Sequence, residues 1–348
     1  MTFIKLNIYS LISKHTYMLS FLLASCATPA MAQEVVNTAK AGSGIYEAII
    51  NNNDGFIYVT GVGTRHAANG ALYKIDGNSL AIVDTISLQE NPPYGIAINQ
   101  KTNIAYTSNT RTNSVSAIDL ASGKLIATIK NGDKNSHTRE IIVDEDRNLI
   151  YVSDVGEPSR IWIIDGKTNS FLGHIEGLGK SATGMCFLGN KDYIYLTVMG
   201  ENAIYKVNTQ SKTVEMQFSS AGESPVNITT DGKQLFVANQ KSGTITVLSP
   251  NGALLKSIPT GNGAIGIAYD PIKKRIYSAN RQSGSTTVID AESFEVLADL
   301  KTGSHPNHVK IHPKTGKAYV LNKQKGGRQA TNQTAVADPQ GDTITKIK

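Results

Sequence analysis

Three short strings hold most of the side chains able to do chemistry. Tyr46-Glu47 and Arg139-Glu140 set a carboxylate beside a phenol or a guanidinium, and His305-Pro306-Asn307-His308 sets two imidazoles three residues apart. Two carboxylates and a histidine brought together by a fold can transfer protons or hold a divalent ion. The histidine spacing by itself argues for structural histidines, because HxxH gathers a metal from one face of a helix and Pro306 interrupts this one. No metal is assigned. Covalent and nucleotide chemistry have no signature either: there is no GxSxG elbow, HExxH, P-loop or paired-cysteine spacing. No catalytic residue and no cofactor follow.

What must position these strings is a repeat. Residues 264–303 contain four short apolar runs, 266–269, 275–279, 286–289 and 294–300, separated by Asp270-Pro271, a polar loop 280–285 and Asp290-Ala291-Glu292-Ser293. Runs rich in Ile, Val, Tyr and Thr between turn formers are strand signals, so the unit is a four-stranded antiparallel meander. The aromatic of its second strand recurs as Tyr58, Tyr106, Tyr151, Tyr195, Phe236, Tyr277 and Tyr319. The residue closing the third strand recurs as Asp76, Asp119, Asp165, Asn208, Ser249, Asp290 and Asp338, each able to cap a type I turn with its side chain. Four strands per period of 40 to 45 residues mark a seven-bladed β-propeller. Its units run 45–88, 92–131, 138–177, 182–220, 224–260, 263–303 and 305–348. The run Val35-Val36-Asn37-Thr38 and residues 343–347 compete for the outer place in the closing blade.

In such a ring the second-to-third-strand loops and the inner-strand starts share one face, where the channel opens, and rigid strands hold those loops. The loops there carry Arg65, Arg111, Arg160, Lys241, Arg281, Lys323, Lys325 and Arg328 against Asp154, Glu157 and Glu201. The opposite face carries Lys124, Lys167 and Lys212 against Asp76, Asp119, Asp165, Asp290, Glu292, Glu295, Asp338 and Asp342. A basic rim above a channel favours an anionic partner such as single-stranded nucleic acid, an anionic glycan or lipid headgroup, or an acidic protein loop. At the mouth converge Tyr46, Glu47, Tyr94, Arg139, Glu140, Thr183, Asn227, Ile265, His305, Asn307 and His308, a set able to hold a small polar ligand. A structural network, in which Arg139 neutralises Glu47 and Glu140, is an equal reading of the same residues. Tyr46 and Tyr94 are the aromatics placed to stack.

Ile57-Tyr58-Val59-Thr60, Ile150-Tyr151-Val152-Ser153 and Ala318-Tyr319-Val320-Leu321-Asn322 resemble the YVTN repeat of bacterial propellers. With Gly44-Ile45-Tyr46-Glu47, Arg139-Glu140, Ile161-Trp162-Ile163-Ile164-Asp165-Gly166 and Ser304-His305-Pro306-Asn307, the chain is similar to the YncE family over essentially its mature length. The resemblance implies a periplasmic, non-enzymatic protein that binds single-stranded DNA, and carries over Tyr46, Glu47, Arg139, Glu140, His305, Pro306, Asn307, Lys323 and Lys325. A lactonase-like hydrolase using Glu47, Glu140 and His308 with a divalent ion is the alternative. A scaffold for an envelope protein partner is a third reading.

Residues 1–32 read as an export signal: Lys5 and Lys14 precede the apolar run 17–24, and Ala30-Met31-Ala32 offers small residues for cleavage. Leu23-Ala24-Ser25-Cys26 also resembles a lipobox, in which Cys26 would carry a lipid anchor. Residues 33–348 form one domain. The formal charge falls from +6 for the whole chain to +4 once Lys5 and Lys14 are removed. Cys186 is then the sole cysteine, so no intrachain disulfide forms, and a monomer without a transmembrane segment is expected.

Overall fold

The computed structural model describes residues 33–64, 68–133, 135–189, 191–325 and 338–348. The export signal and lipobox read in residues 1–32, and the rim residues Arg65 and Arg328, lie outside the described residues. The described strands form seven four-stranded antiparallel sheets. The first is Ile45–Ile50, Ile57–Gly61, Ala71–Ile75 and Ile82–Ser87 from channel to periphery. The sole helical element described is the 3-10 turn Met199–Glu201. Turn chemistry at the repeated acid is as read: Asp76 Oδ1 accepts from the backbone N–H of Asn78 and Ser79, and Asp290 Oδ1 from those of Glu292 and Ser293.

The recurring tyrosine works between blades rather than within one. A four-stranded sheet buries its faces only against its neighbours, and the apolar clusters accordingly straddle blade boundaries. Tyr151, Ile161 and Ile163 of the third sheet pack with Met185, Ile194 and Leu196 of the fourth. The phenol then reaches the next blade's third-to-fourth-strand turn. Tyr106 Oη donates to Asn169 Oδ1 at 2.7 Å, and Tyr195 Oη to the carbonyl of Pro250 at 3.2 Å. A buried ring with a satisfied hydroxyl combines apolar area with register, which is why tyrosine suits this place.

Closure resolves the competition for the outer strand. Residues Val35–Lys40 pair with Thr343–Ile347, and the closing sheet runs Val35–Lys40, Thr343–Ile347, Ala318–Asn322, Pro306–Ile311 from outside inward. Thr343–Ile347 is therefore the third strand of blade seven, not its fourth. Asp338 does not close a third strand, and Asp338 and Asp342 belong to the second-to-third-strand loop on the basic face, not to the opposite one. The repeat step misplaced them because this loop spans residues 323–342, longer than its counterparts. Both carboxylates serve the fold there. Asp342 accepts from the N–H groups of Gly44 and Ile45, tying blade seven to blade one, and Asp338 accepts from Ser304 Oγ at 2.8 Å and the Lys325 N–H at 2.9 Å.

Tyr319 spans the seam, fully buried, with Oη donating to the Gly77 carbonyl of blade one at 2.9 Å. Tyr319→Ala is expected to destabilise by about 3–5 kcal/mol through the cavity it leaves, and Tyr319→Phe by about 1 kcal/mol through the lost hydrogen bond. Urea unfolding measures both, and equal losses from the two variants would contradict the assignment.

Candidate binding site at the channel mouth

A bulge at the start of the inner strands builds the mouth. Register shifts fall between Ile45 and Ala48, Thr138 and Ile141, Ala182 and Met185, and Pro306 and His308. The residues inside these shifts are Tyr46-Glu47, Arg139-Glu140, Thr183-Gly184 and Asn307. Bulges re-aim side chains that a regular ladder would send elsewhere. In the first four blades the hydroxyl at the third position of the Tyr-Val-Thr type string latches the start of the inner strand. Thr60 Oγ1 accepts from the Glu47 N–H at 3.0 Å and donates to the Tyr94 carbonyl of the next blade at 2.6 Å. Ser108 Oγ accepts from Gly95 N–H and donates to the Arg139 carbonyl. Thr197 Oγ1 accepts from Gly184 N–H and donates to the Val226 carbonyl. Gly95 is required by this approach, since a Cβ there would lie 2.1 Å from the Arg139 oxygen. At the seam, Asn307 Nδ2 donates to the Tyr46 carbonyl at 2.9 Å.

The cations gather on Tyr46. Its ring, 9% exposed, has the Arg139 guanidinium 4.4 Å and the Lys323 ammonium 3.8 Å from the centroid. Arg281 lies close enough to Tyr46 to interact with its phenol, and its Nη2 donates to Asn307 Oδ1. The π face and phenol oxygen thus collect three like charges, each interaction adding attraction in a partly desolvated site. Tyr46 is consequently covered, and the ring left to stack is Tyr94, 5.0 Å from Tyr46 and only partly buried. Arg111 lies 5.8 Å from the Tyr94 ring and donates to the carbonyls of Val62 and Thr64. Among the described residues none of Arg111, Arg139, Arg281 and Lys323 has a carboxylate within ion-pair distance.

The remaining rim cations divide. Arg160 is drawn onto Asp133 at 2.6 Å and Asp154 at 3.4 Å, beside Trp162, whose Nε1 also donates to Asp154. Lys241 pairs with Glu223 at 2.6 Å. These two are neutralised locally and add little to the mouth. Lys325 lies toward blade six, lining a groove with Arg281 and His305.

Below Tyr46 the channel narrows onto Glu47, Glu140, Thr183, Asn227, Asn307 and His308. Burial holds the Glu47 carboxyl well above its usual range, with Glu140 adding repulsion. Burial likewise pushes Glu140 up to about 7, against the opposing pull of Arg139 and Lys310. Lys310 is the residue sequence reasoning missed: it interacts with both carboxylates, and burial lowers its ammonium. Its alternation with His308 along one inner strand was the available signal. His308 is kept neutral, its pKa driven down to about 3 by burial and then by Lys310. Neutralisation of the glutamates by Arg139 is thus shared with Lys310. Cys186 lines the channel further down, its thiol pushed up to about 12 by burial.

Seven four-stranded antiparallel blades around a channel whose mouth gathers cations define a seven-bladed β-propeller. Within that class the chain is YncE-like. It is similar to the YncE protein of Salmonella typhi, 26% identical over 325 residues that cover 89% of this chain and 91% of that one. To the YncE protein of Escherichia coli strain K12 it is 24% identical, with the same coverage. No protein-family model matches the chain. In fold alone it is similar to the hydrazine synthase of Kuenenia stuttgartiensis, with a TM-score of 0.67 and 16% identity over 82% of this chain and 94% of that one.

Lys323 provides a test of the mouth's electrostatics. Burial, then Arg281 and Arg139, lower its ammonium to about 7, whereas an unfolded lysine titrates near ~10.4. Between these values the unfolded chain holds a proton that the folded chain lacks, so wild-type stability rises with pH across that window. Lys323→Met is expected to raise the melting temperature by roughly 2–4 °C at pH 6 and to lose this advantage by pH 10. Calorimetry at the two pH values decides it; an unchanged or lowered melting temperature at pH 6 would contradict the repulsion.

Proposed function

We propose that this protein is an exported, non-enzymatic binding protein whose basic mouth takes a linear polyanion, with single-stranded DNA the class that fits best. The observation that carries the reading is the gathering of Arg111, Arg139, Arg281 and Lys323 around the Tyr46–Tyr94 pair, where among the described residues none forms a close ion pair and only Arg139 also lies beside the channel glutamates. Fork-shaped guanidiniums suit phosphate oxygens, and Tyr94 supplies a sequence-tolerant stacking face. Extension beyond the mouth is supported by a groove of about 550 Å³ between blades six and seven. Arg281, Lys301, His305 and Lys325 line it, and among the described residues no carboxylate does. Arg281 Nε is buried there without a hydrogen-bond partner. A single small anion would satisfy the mouth alone, whereas a strand of phosphates engages mouth and groove together.

Export is supported by the composition of residues 1–32, with Lys5 and Lys14 ahead of an apolar run. Among the described residues no helix is long and apolar enough to cross a membrane. Intact mass of the protein from a native envelope preparation separates cleavage after Ala32 from acylation at Cys26.

Fluorescence anisotropy with a labelled oligothymidylate tests the ligand. Affinity is expected to fall linearly on a log–log salt plot, with a slope of roughly −0.7 per phosphate neutralised. Arg111→Ser, Arg281→Ser and Lys323→Ser combined should flatten that slope without lowering the melting temperature, and Tyr94→Ala should weaken binding by about 1–3 kcal/mol. A flat salt response in the unaltered protein, or equal binding by the triple variant, would remove this reading.

A further inference from the structure

The channel has a second opening, on the face away from the basic mouth, and its chemistry is the reverse. There the far halves of the inner strands enclose a cavity of about 480 Å³. Its walls mix apolar side chains, Ile49, Ile98, Met185, Phe187 and Tyr269 among them, with polar ones. A cavity of that volume with walls of both kinds suits a small molecule that is itself part polar and part apolar.

The polar groups are unbalanced in charge. Glu140 and Glu145 line the cavity against Lys310 as its cation, and Glu47 lies in the constriction just above. Arg139 lines that constriction beside Glu47 and Glu140 while also lying over the Tyr46 ring. His308 also lines the cavity: one ring nitrogen bonds the Ala48 backbone carbonyl, while Nε2 is buried with no partner. With the other nitrogen donating, Nε2 is left as a bare acceptor. Burial raises the Glu140 carboxyl, with Arg139 and Lys310 pulling the other way.

We propose that this second mouth binds a small organic ammonium ion carrying an apolar tail or ring. Its ammonium sits against Glu140 with His308 Nε2 as a further acceptor, and its apolar part lies along the isoleucine, methionine and aromatic walls. Lys310 tunes the site by competing for the same carboxylates. This inference is independent of polyanion binding at the opposite face: the two sites differ in sign of charge and share no ligand chemistry.

Isothermal titration of the full chain with hexylammonium, hexanoate and hexanol tests it. Hexylammonium is expected to bind one per chain, with hexanoate and hexanol each at least tenfold weaker, a difference of about 1.4 kcal/mol. Glu140→Gln should weaken the amine at least tenfold, and Lys310→Met should tighten it by removing the internal competitor. Should Glu140→Gln not fold, Glu145→Gln, nearer solvent, is expected to lose about threefold, about 0.65 kcal/mol. No measurable amine binding, hexanoate binding as tightly as the amine, or a Lys310→Met variant that weakens it would each overturn the proposal.

Discussion

The channel mouth depends on one small interaction repeated in the first, second and fourth blades. A second-strand hydroxyl accepts the N–H freed by the bulge in its own inner strand and donates to the carbonyl at the bulge of the next blade. Buried backbone groups must be paired, and a bulge removes one from its ladder. The hydroxyl restores that bond and in the same stroke fixes the spacing of adjacent blades.

A related device acts where the second strand ends. Asn239 Nδ2 donates to Thr246 Oγ1, Asn280 Nδ2 to Ser285 and Thr287, and Asn322 Nδ2 to Thr343 and Thr345. Each amide ties the second strand to the hydroxyls of the third just below the loop that carries a rim residue. Arg281 and Lys323 directly follow two of these asparagines. Loop cations are thereby launched from a rigid point, and their long side chains reach Tyr46 with less conformational freedom to lose. The apolar seams between blades and the phenol bonds of Tyr106, Tyr195 and Tyr319 carry the same order outward to the periphery.

Charge is distributed with the same economy. Like charges around Tyr46 would repel one another in a purely aqueous setting, yet the ring and the phenol oxygen hold them together while burial lowers Lys323. On the other side of the constriction the sign inverts, with Glu47 and Glu140 facing Lys310. Along the axis a cationic mouth gives way to a constriction holding Glu47, Arg139 and Glu140 and then to a cavity lined by Glu140, Glu145 and Lys310.

Much of this was legible in the chain itself. A period of 40 to 45 residues, with an aromatic in the second strand and a turn-capping residue between third and fourth strands, determined blade number and strand order. Those features rest on local chemistry: alternation and turn preference act within one unit. Three matters were decided only by the tertiary structure. The closing blade took Val35–Lys40 as its outer strand because an unpaired edge is satisfied by a segment some three hundred residues away, and a long loop displaced Asp338 and Asp342 from the repeat's register. Arg160 and Lys241 left the mouth for nearby acids, while Arg139, Arg281 and Lys323 converged on one ring. Lys310 entered the channel beside two glutamates drawn from other blades. In each case the partner is distant in sequence, and pairing at long range depends on how closely the blades pack, which no single unit encodes.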